Sequence, residues 1–573
     1  MRFRFTKTKK IASLACAVCL MLGSTALAKP AAPTGLSVPG LTATEDGMTL
    51  VWDRPAKGDD VVGYRVYMDG KLVARTEQDL NSQAKQELRA FYEKSPDAQK
   101  VLEHMYRVTG LAPGSKHSFI VRAVDARGEE SADSNPASGV VQTAGKKIDI
   151  TACGAVGDGK TLNTSAIQKA VDQCPPGGTV VVPPGVYKTG MIWLHGDMTL
   201  EIQKDATILA TEDPSAYEYG YRLYPYIAQD RFYALFSTKY KEGDKKMQNL
   251  RIIGEGTIDG NGWKQGTDGN YLYRTKAKKG EPLPATHVSN IGILAWNQVD
   301  WLDKNKGLNE DQAYQRRSSM MLLQGIQHVL ISGVTFRNPA NHTLIASHCD
   351  DVVVENTKFL TYNCNNGDGI EFAHGKGLKV YDSVFNTGDD CVNFAAGQGA
   401  EGQKDAPTQG IWIFNNSFHH GHGAVVLGSH TAAFIQDLLA EDNVMDGTEV
   451  GLRMKSNAAN GGGARNVHFR NNAARNIEKN FFIATTGYSD PNQKTNFPKA
   501  TKPAYFHDVL VEDCTVEGTG KSSIEIVGAP DAKHYNISFK NITISGGKPW
   551  IITDVENLSF ENVNQADVSK NQF

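Results

Sequence analysis

Four short segments of this chain carry side chains able to move protons and hold charge. Asn365-Asn366-Gly367-Asp368-Gly369 presents one carboxylate, and Asn386-Thr387-Gly388-Asp389-Asp390 presents two more in succession. Gly421-His422-Gly423 offers an imidazole, and Arg453-Met454-Lys455 brings two cations. Taken singly, each has an ordinary explanation: a turn, a solvated or calcium-binding acid pair, a structural histidine, a wetted strand face. Together they form a set for acid–base chemistry. A protonated carboxyl can protonate a leaving group while an ionised neighbour activates water. Crowding three carboxylates raises the proton affinity of one of them into the range where it can serve as the acid. Arg453 and Lys455, two apart on a strand, share one face and suit an anionic group on the reacting molecule.

Residues spread from 366 to 455 can meet only if the chain returns repeatedly to one place. From Ile148 onward, segments of the form apolar-x-apolar-x-Asn/Asp/Gly recur, each followed by a short, partly apolar strand. The alignable anchors are Gly333, Asn356, Asp382, Asn415, Asp442, Asn471, Asp513, Asn541 and Asn562, spaced 21 to 42 residues apart. A period mostly in the twenties, with two-residue rather than 3.6-residue alternation, specifies a parallel β-solenoid. Asn and Asp at the anchors suit left-handed bends. Coils stack at about 4.8 Å, so four consecutive coils would bring the acids, the imidazole and the cations within roughly 15 Å along the axis. The distances from anchor to functional residue differ by up to six residues, which side loops must absorb. Thr164 to Val171 reads as a helix capping the first coil against edge pairing. Asp389 and Asp390 would face opposite ways on a strand, so both reach one cleft only if Thr387-Gly388 bends the chain.

The front of the chain has a different grammar. Met48–Trp52, Gly63–Tyr67 and His117–Val124 alternate like strands, and Asp69-Gly70 sits where a hairpin turn belongs. With Pro33, Trp52, Tyr64, Tyr106 and Leu111-Ala112-Pro113-Gly114, residues 31–144 resemble a fibronectin type III module. The stretch from Gln78 to His104 is a polar, helix-like insertion not usual in that pattern. As a spacer the module would be inert; docking or substrate binding is the other reading. Thr143–Lys147 links it to the solenoid, residues 148–573.

Residues 1–28 hold five basic residues and no acid, then the apolar run Ile11 to Leu22 and Ala26-Leu27-Ala28. This is the pattern of a signal peptide, so the expected location is outside the cytoplasm, either secreted or periplasmic. The run is too short to span a membrane. Residues 29–573 carry 55 basic against 63 acidic side chains, about −8. That balance argues against a nucleic-acid partner and would repel an anionic polymer, so capture must be local. Six cysteines follow residue 28 (153, 174, 349, 364, 391 and 514). In an oxidising compartment they read as structural staples, with the pairing left open. Their spacing does not suggest a metal site, and no cofactor is expected. With hydrophobic residues at 40% and charged residues at 21%, the chain is globular rather than disordered.

Asn366-Gly367-Asp368-Gly369, Gly388-Asp389-Asp390, Gly421-His422-Gly423 and Arg453-Met454-Lys455 resemble the four motifs of glycoside hydrolase family 28, the polygalacturonases. Gly367 stands where the family usually has Thr, and Met454 where it has Ile. The exported, fibronectin-like front is similar to that of the family's exo-acting bacterial members. The resemblance implies an all-β, right-handed parallel β-helix that hydrolyses α-1,4-galacturonosidic bonds of polygalacturonate, as in pectin degradation, with inversion. It implies Asp389 as general acid, Asp368 and Asp390 as holders of the attacking water, and His422 as an orienting group. Arg453 and Lys455 would bind the substrate carboxylate. Asn366 would bond substrate or Asp368, and Tyr488 falls where the family carries a substrate-binding tyrosine. Exo action rests on two long insertions, Tyr217 to Lys246 and Gly262 to Gln315. The latter holds Trp263, Trp296 and Trp301, and both are placed to wall off one end of the groove. The product is expected to be a short galacturonide, digalacturonate favoured, with mono- versus digalacturonate left open by the sequence. The alternatives are an endo-acting enzyme, a calcium-dependent lyase using the aspartates as metal ligands, and a non-catalytic glycan-binding β-helix. Oligomeric state is not legible.

Overall fold

A computed structural model describes residues 29–55, 60–264, 293–362, 364–489 and 497–565. The export segment expected at 1–28 lies outside these. Among the described residues, no helix is long and apolar enough to cross a membrane.

From Lys147 the chain winds into a parallel β-helix with a 23-stranded and an 11-stranded sheet. One coil shows how the sequence produces it. Strand Lys376–Tyr381 buries Leu378 and Val380, Asp382 turns the chain, and Val384–Asn386 and Val392–Ala395 follow. The next coil repeats this with Thr408–Phe414, Asn415, Ser417–Phe418 and Val425–Leu427. Pairing is parallel and in register: Val380 opposite Ile413, Phe385 opposite Phe418, Phe394 opposite Leu427. All nine anchors have left-handed backbone, with φ from 46° to 83°. Asn and Asp tolerate that conformation better than other side chains bearing a Cβ.

Repetition makes like residues stack. Phe336, Phe359, Phe385 and Phe418 form a buried column with centroid spacings of 5.2, 4.8 and 5.0 Å. The residues after four successive anchors, Ser383, Asn416, Asn443 and Asn472, build a second, polar column. Asn416 Oδ1 accepts from the Ser383 amide, Asn443 Oδ1 from the Asn416 amide and Asn472 Oδ1 from the Asn443 amide, each at 3.0 Å. These buried side chains satisfy backbone donors that the bend takes out of the ladder. Helix Thr164–Asp172 buries Ile167, Ala170 and Val171 in the same core, at its first coils.

The N-terminal module is a sandwich of a three-stranded and a four-stranded sheet. Asp69 and Gly70, both with positive φ, make the hairpin turn between Val61–Met68 and Lys71–Arg75. The insertion contains helix Gln83–Lys94. It does not leave the module a spacer. Leu88, Phe91 and Ala98 share a cluster with Val444 and Ala473, and Val51 and Met105 share one with Tyr381 and Phe414 of the β-helix. Anchors on three successive coils also serve as docking points. Ser82 donates to Asp382, the His104 amide to Asn415 (3.0 Å), and Arg54 and the Leu102 amide to Asp442 (2.5 and 2.8 Å).

The expectation of disulfide staples is not met. Cys153, Cys174, Cys349, Cys364, Cys391 and Cys514 are all free, and all but Cys153 are buried. Parallel coils already satisfy the backbone and bury the core, and the thiols pack as small apolar groups. Burial pushes the Cys349 thiol up to about 12 and raises those of Cys364, Cys391 and Cys514. They are therefore poor nucleophiles.

Candidate active site

The 11-stranded sheet and the loops that feed it position the chemistry. Outward-facing Glu371, Asn393 and Arg453 lie in one register column with Ile345 and Val426, and Lys455 shares the face of Arg453. Asp368 and Asp390 stand two residues before the paired residues Ile370 and Val392, so they stack on consecutive coils, joined by the bond from the Gly369 amide to Asp390 O (3.0 Å).

The bend that the sequence required is present. The strand ends at Asn386, the next begins at Val392, and Thr387 Oγ1 donates to Asp389 O at 2.7 Å within the bend. A Cβ on Gly388 would meet Cys364 O at 2.1 Å, so glycine is required there. The close approach at Gly367, 2.7 Å to the same oxygen, fits the glycine that this chain carries in place of Thr. Asp389 and Asp390 thus reach one cleft, and the Asp390 amide donates to Asp389 Oδ1 at 2.9 Å.

Each acid has a different environment. Asp390, 1% exposed, accepts from Lys455 Nζ at 2.6 Å and Arg453 Nη1 at 3.1 Å. Asp389 meets His422 Nδ1 at 2.9 Å. Burial opposes its ionisation, but the His422 imidazolium outweighs that and holds Asp389 well below the carboxylate range. His422 in turn is pushed up to about 9: burial resists, and Asp389 and then Asp390 overcome it. Asp368, 4% exposed, is the group whose proton affinity rises, to about 8. Burial is the main cause, Asp389 and Asp390 add to it, and His342 alone among its leading neighbours opposes it. Crowding therefore raises Asp368 and not Asp389, because Asp389 has an imidazolium in contact and Asp368 has one only at 3.7 Å.

The remaining expected residues converge with one change of partner. Asn366 donates to Asp389 Oδ2 at 3.5 Å and accepts from Arg317 at 2.8 Å, so it serves Asp389 rather than Asp368. The Tyr488 ring lies 5.1 Å from Lys455 Nζ and 5.9 Å from the Arg453 guanidinium. Arg453 and Lys455 are occupied by Asp390 and poised beside the cleft. His342, Glu371, Asn393 and Arg317 were missed. Glu371 could have been seen as a charged residue in the otherwise apolar strand Ile370–Ala373, whereas His342 carries no motif.

Asp389, Asp390 and His422 bring ligand atoms within 4.8 Å of one another. With Lys455 and Arg453 on Asp390, that set repels a divalent cation, which disfavours the calcium-lyase reading.

The two insertions pack together beside this site. Phe232 and Tyr219 of the first meet Trp301 of the second at 5.4 and 6.4 Å. Tyr314 accepts from Asn365 at 2.6 Å, and Tyr224 meets His430 at 2.8 Å. Trp263 is a buried structural residue, its indole donating to Pro339 O. Residues 265–292 of the second insertion lie outside the described residues.

A parallel β-helix bearing three acids against an imidazole and two cations on one outward face defines a glycan hydrolase. A family model, Glycosyl hydrolases family 28, matches residues 236–566, and one for the Fibronectin type III domain matches 31–140. The chain belongs to glycosyl hydrolase family 28. It is 42% identical over 577 aligned positions to an exo-poly-alpha-D-galacturonosidase of Dickeya chrysanthemi, spanning 98% of this chain and 94% of that one. It is 37% identical to a solved family 28 exopolygalacturonase of Yersinia enterocolitica, with a TM-score of 0.86, 95% of this chain and 97% of the other being covered.

Proposed function

We propose that this enzyme hydrolyses α-1,4-galacturonosidic bonds of polygalacturonate and oligogalacturonates from chain ends, releasing short galacturonides. The observation that carries the reading is the stack of Asp368 and Asp390 on consecutive coils, with the Asp389–His422 pair and the cations Arg453 and Lys455 against it. Hydrolysis of a glycosidic bond with inversion needs one acid and one water-activating carboxylate across the bond. Asp389 delivers the proton to the leaving oxygen. The Asp389–His422 pair titrates as a unit that holds one proton at neutral pH, available across a 2.9 Å contact. Asp368 and Asp390 hold and activate the water. Arg453 and Lys455, with Tyr488 beside them, bind the uronate carboxylate. The exo mode draws support from the two packed insertions at the cleft and from the exo-acting relatives. Export through residues 1–28 belongs to the same proposal, since the polymer lies outside the cell.

The test is a time course on saturated oligogalacturonates of defined length, in excess chelator. A single short saturated product from the first minutes is expected. A ladder of lengths would overturn the exo mode, and unsaturated, ultraviolet-absorbing products would overturn hydrolysis.

A further inference from the structure

Asp368 is asked to act as an ionised base in a place that favours its neutral form. It is buried beside Asp389 and Asp390, and its contact with Asn393 Nδ2 is 3.3 Å long. Arg453 and Lys455 are committed to Asp390, so they do not offset its charge directly. His342 stands two residues before Leu344, which pairs with Ile370, so His342 occupies on the preceding coil the position that Asp368 holds on its own. The bond from the Thr343 amide to Asp368 O, 3.2 Å, ties the two coils. His342 Nε2 lies 3.7 Å from Asp368 Oδ1, and its Nδ1 lies 2.8 Å from Glu371 Oε2. Glu371 is the outward residue of the strand that Asp368 introduces, in register with Asn393. One imidazole therefore spans two carboxylates, with one nitrogen for each.

We propose that His342, anchored through Nδ1 by Glu371, is a positioning residue that favours the ionised form of Asp368 as the water-activating carboxylate. A hydrogen bond from Nδ1–H to Glu371 fixes the ring, and a proton on Nε2 then faces Asp368. The charges around the pair agree with a protonated ring. Burial resists, but Asp368 and Glu371 together push His342 up to about 9. Glu371 is held below its usual range: burial works against that, and the bond from His342, the charges of His342 and His430, and Arg231 work for it. Arg231 also faces His342 and disfavours its charge. The balance at Asp368 is thus three acids (Asp389, Asp390, Glu371) against one imidazolium. Removing the imidazolium raises the proton affinity of Asp368 further, above the value of about 8 that it has beside His342.

The proposal rests on Asp368 activating water. It is tested by the pH dependence of kcat/KM on a saturated oligogalacturonate, with wild type, His342→Gln, His342→Asn, Glu371→Gln and Asp368→Asn. The expected result is an acidic limb moved upward by about 1 pH unit or more in H342Q and H342N, a smaller move in E371Q, where loss of the anchor and loss of a like charge oppose each other, and a KM near wild type. Activity in both His342 variants should recover toward high pH. Lower activity in H342Q and H342N with the limb unmoved would reduce His342 to a structural role and overturn the proposal, and H342N decides the matter if H342Q fails to fold. Full activity in D368N would instead overturn the assignment of Asp368 as base.

Discussion

Lys455 Nζ donates to Asp390 Oδ2 at 2.6 Å across two coils of the β-helix, with both side chains closed to solvent. A buried pair of this kind is weak proof of net stability, but breaking it on one side is costly. Lys455→Met is expected to destabilise the enzyme by about 3 kcal/mol, the low end of the range, because Arg453 still faces Asp390. If Lys455 also binds the uronate carboxylate, KM should rise more than kcat falls. Denaturant melts and initial-rate kinetics on the same sample separate the two effects.

Asp389 and His422 couple rate to pH. Asp389→Asn should lower kcat on the order of 10²–10⁴-fold, the usual loss for a positioned proton donor. Stability gives an independent check. His422 has its pKa raised from 6.5 to about 9 in the fold, so its contribution is present in full below pH 6.5 and lost as pH rises through 9. Asp389 is shifted down, so its share persists until the pH falls below the usual carboxylate range. The stability difference between wild type and His422→Gln should therefore be largest at pH 5–6 and shrink steadily toward pH 9. A difference that does not vary with pH would show that the ring contributes packing alone.

How far the sequence reached follows from what repetition can encode. The anchors were legible because a left-handed bend selects Asn, Asp or Gly, and all nine took that conformation. The acids were legible because glycines flank them where loops of adjacent coils touch. His342 was hidden, since its role depends on the coil register between residues 342 and 368, which variable loop lengths obscure. The proton affinities were only half legible. Crowding indicated that one acid would rise, but which one depended on contacts of 2.9 Å at Asp389 and 3.7 Å at Asp368. Whether the N-terminal module docks or only spaces is open in the sequence alone, because the buried side of an insertion has no partner visible in its own stretch of sequence.

That docking has a measurable consequence. Arg54 and Asp442 join the module to the β-helix in a site where the Asp442 side chain is fully buried. Asp442 also receives the Leu102 amide. Arg54→Ala leaves Asp442 buried without its guanidinium and is expected to cost about 3–5 kcal/mol. Calorimetry of wild type should show the module melting together with the coils from Asp382 to Ala473 on which it docks. In the variant a separate, earlier transition for the module is expected; two resolved transitions already in wild type would contradict an integral interface.

The polar column behind the anchors can be tested by substitution at its centre. Asn443 accepts from the Asn416 amide at 3.0 Å and donates to Glu441 O at 2.9 Å and Ile413 O at 3.1 Å, all out of water. Asn443→Ala strands the Asn416 amide and leaves a gap, so a loss of about 2–4 kcal/mol is expected from the unsatisfied donor and the lost packing. The chain itself supplies the control. Two coils earlier, Ser383 does part of the same work, its Oγ accepting from the Thr357 amide at 3.1 Å. Asn443→Ser should therefore recover a portion of the loss that Asn443→Ala incurs. Equal destabilisation by Ser and Ala in denaturant melts would mean that cavity volume, rather than the orphaned backbone donor, sets the cost at this position.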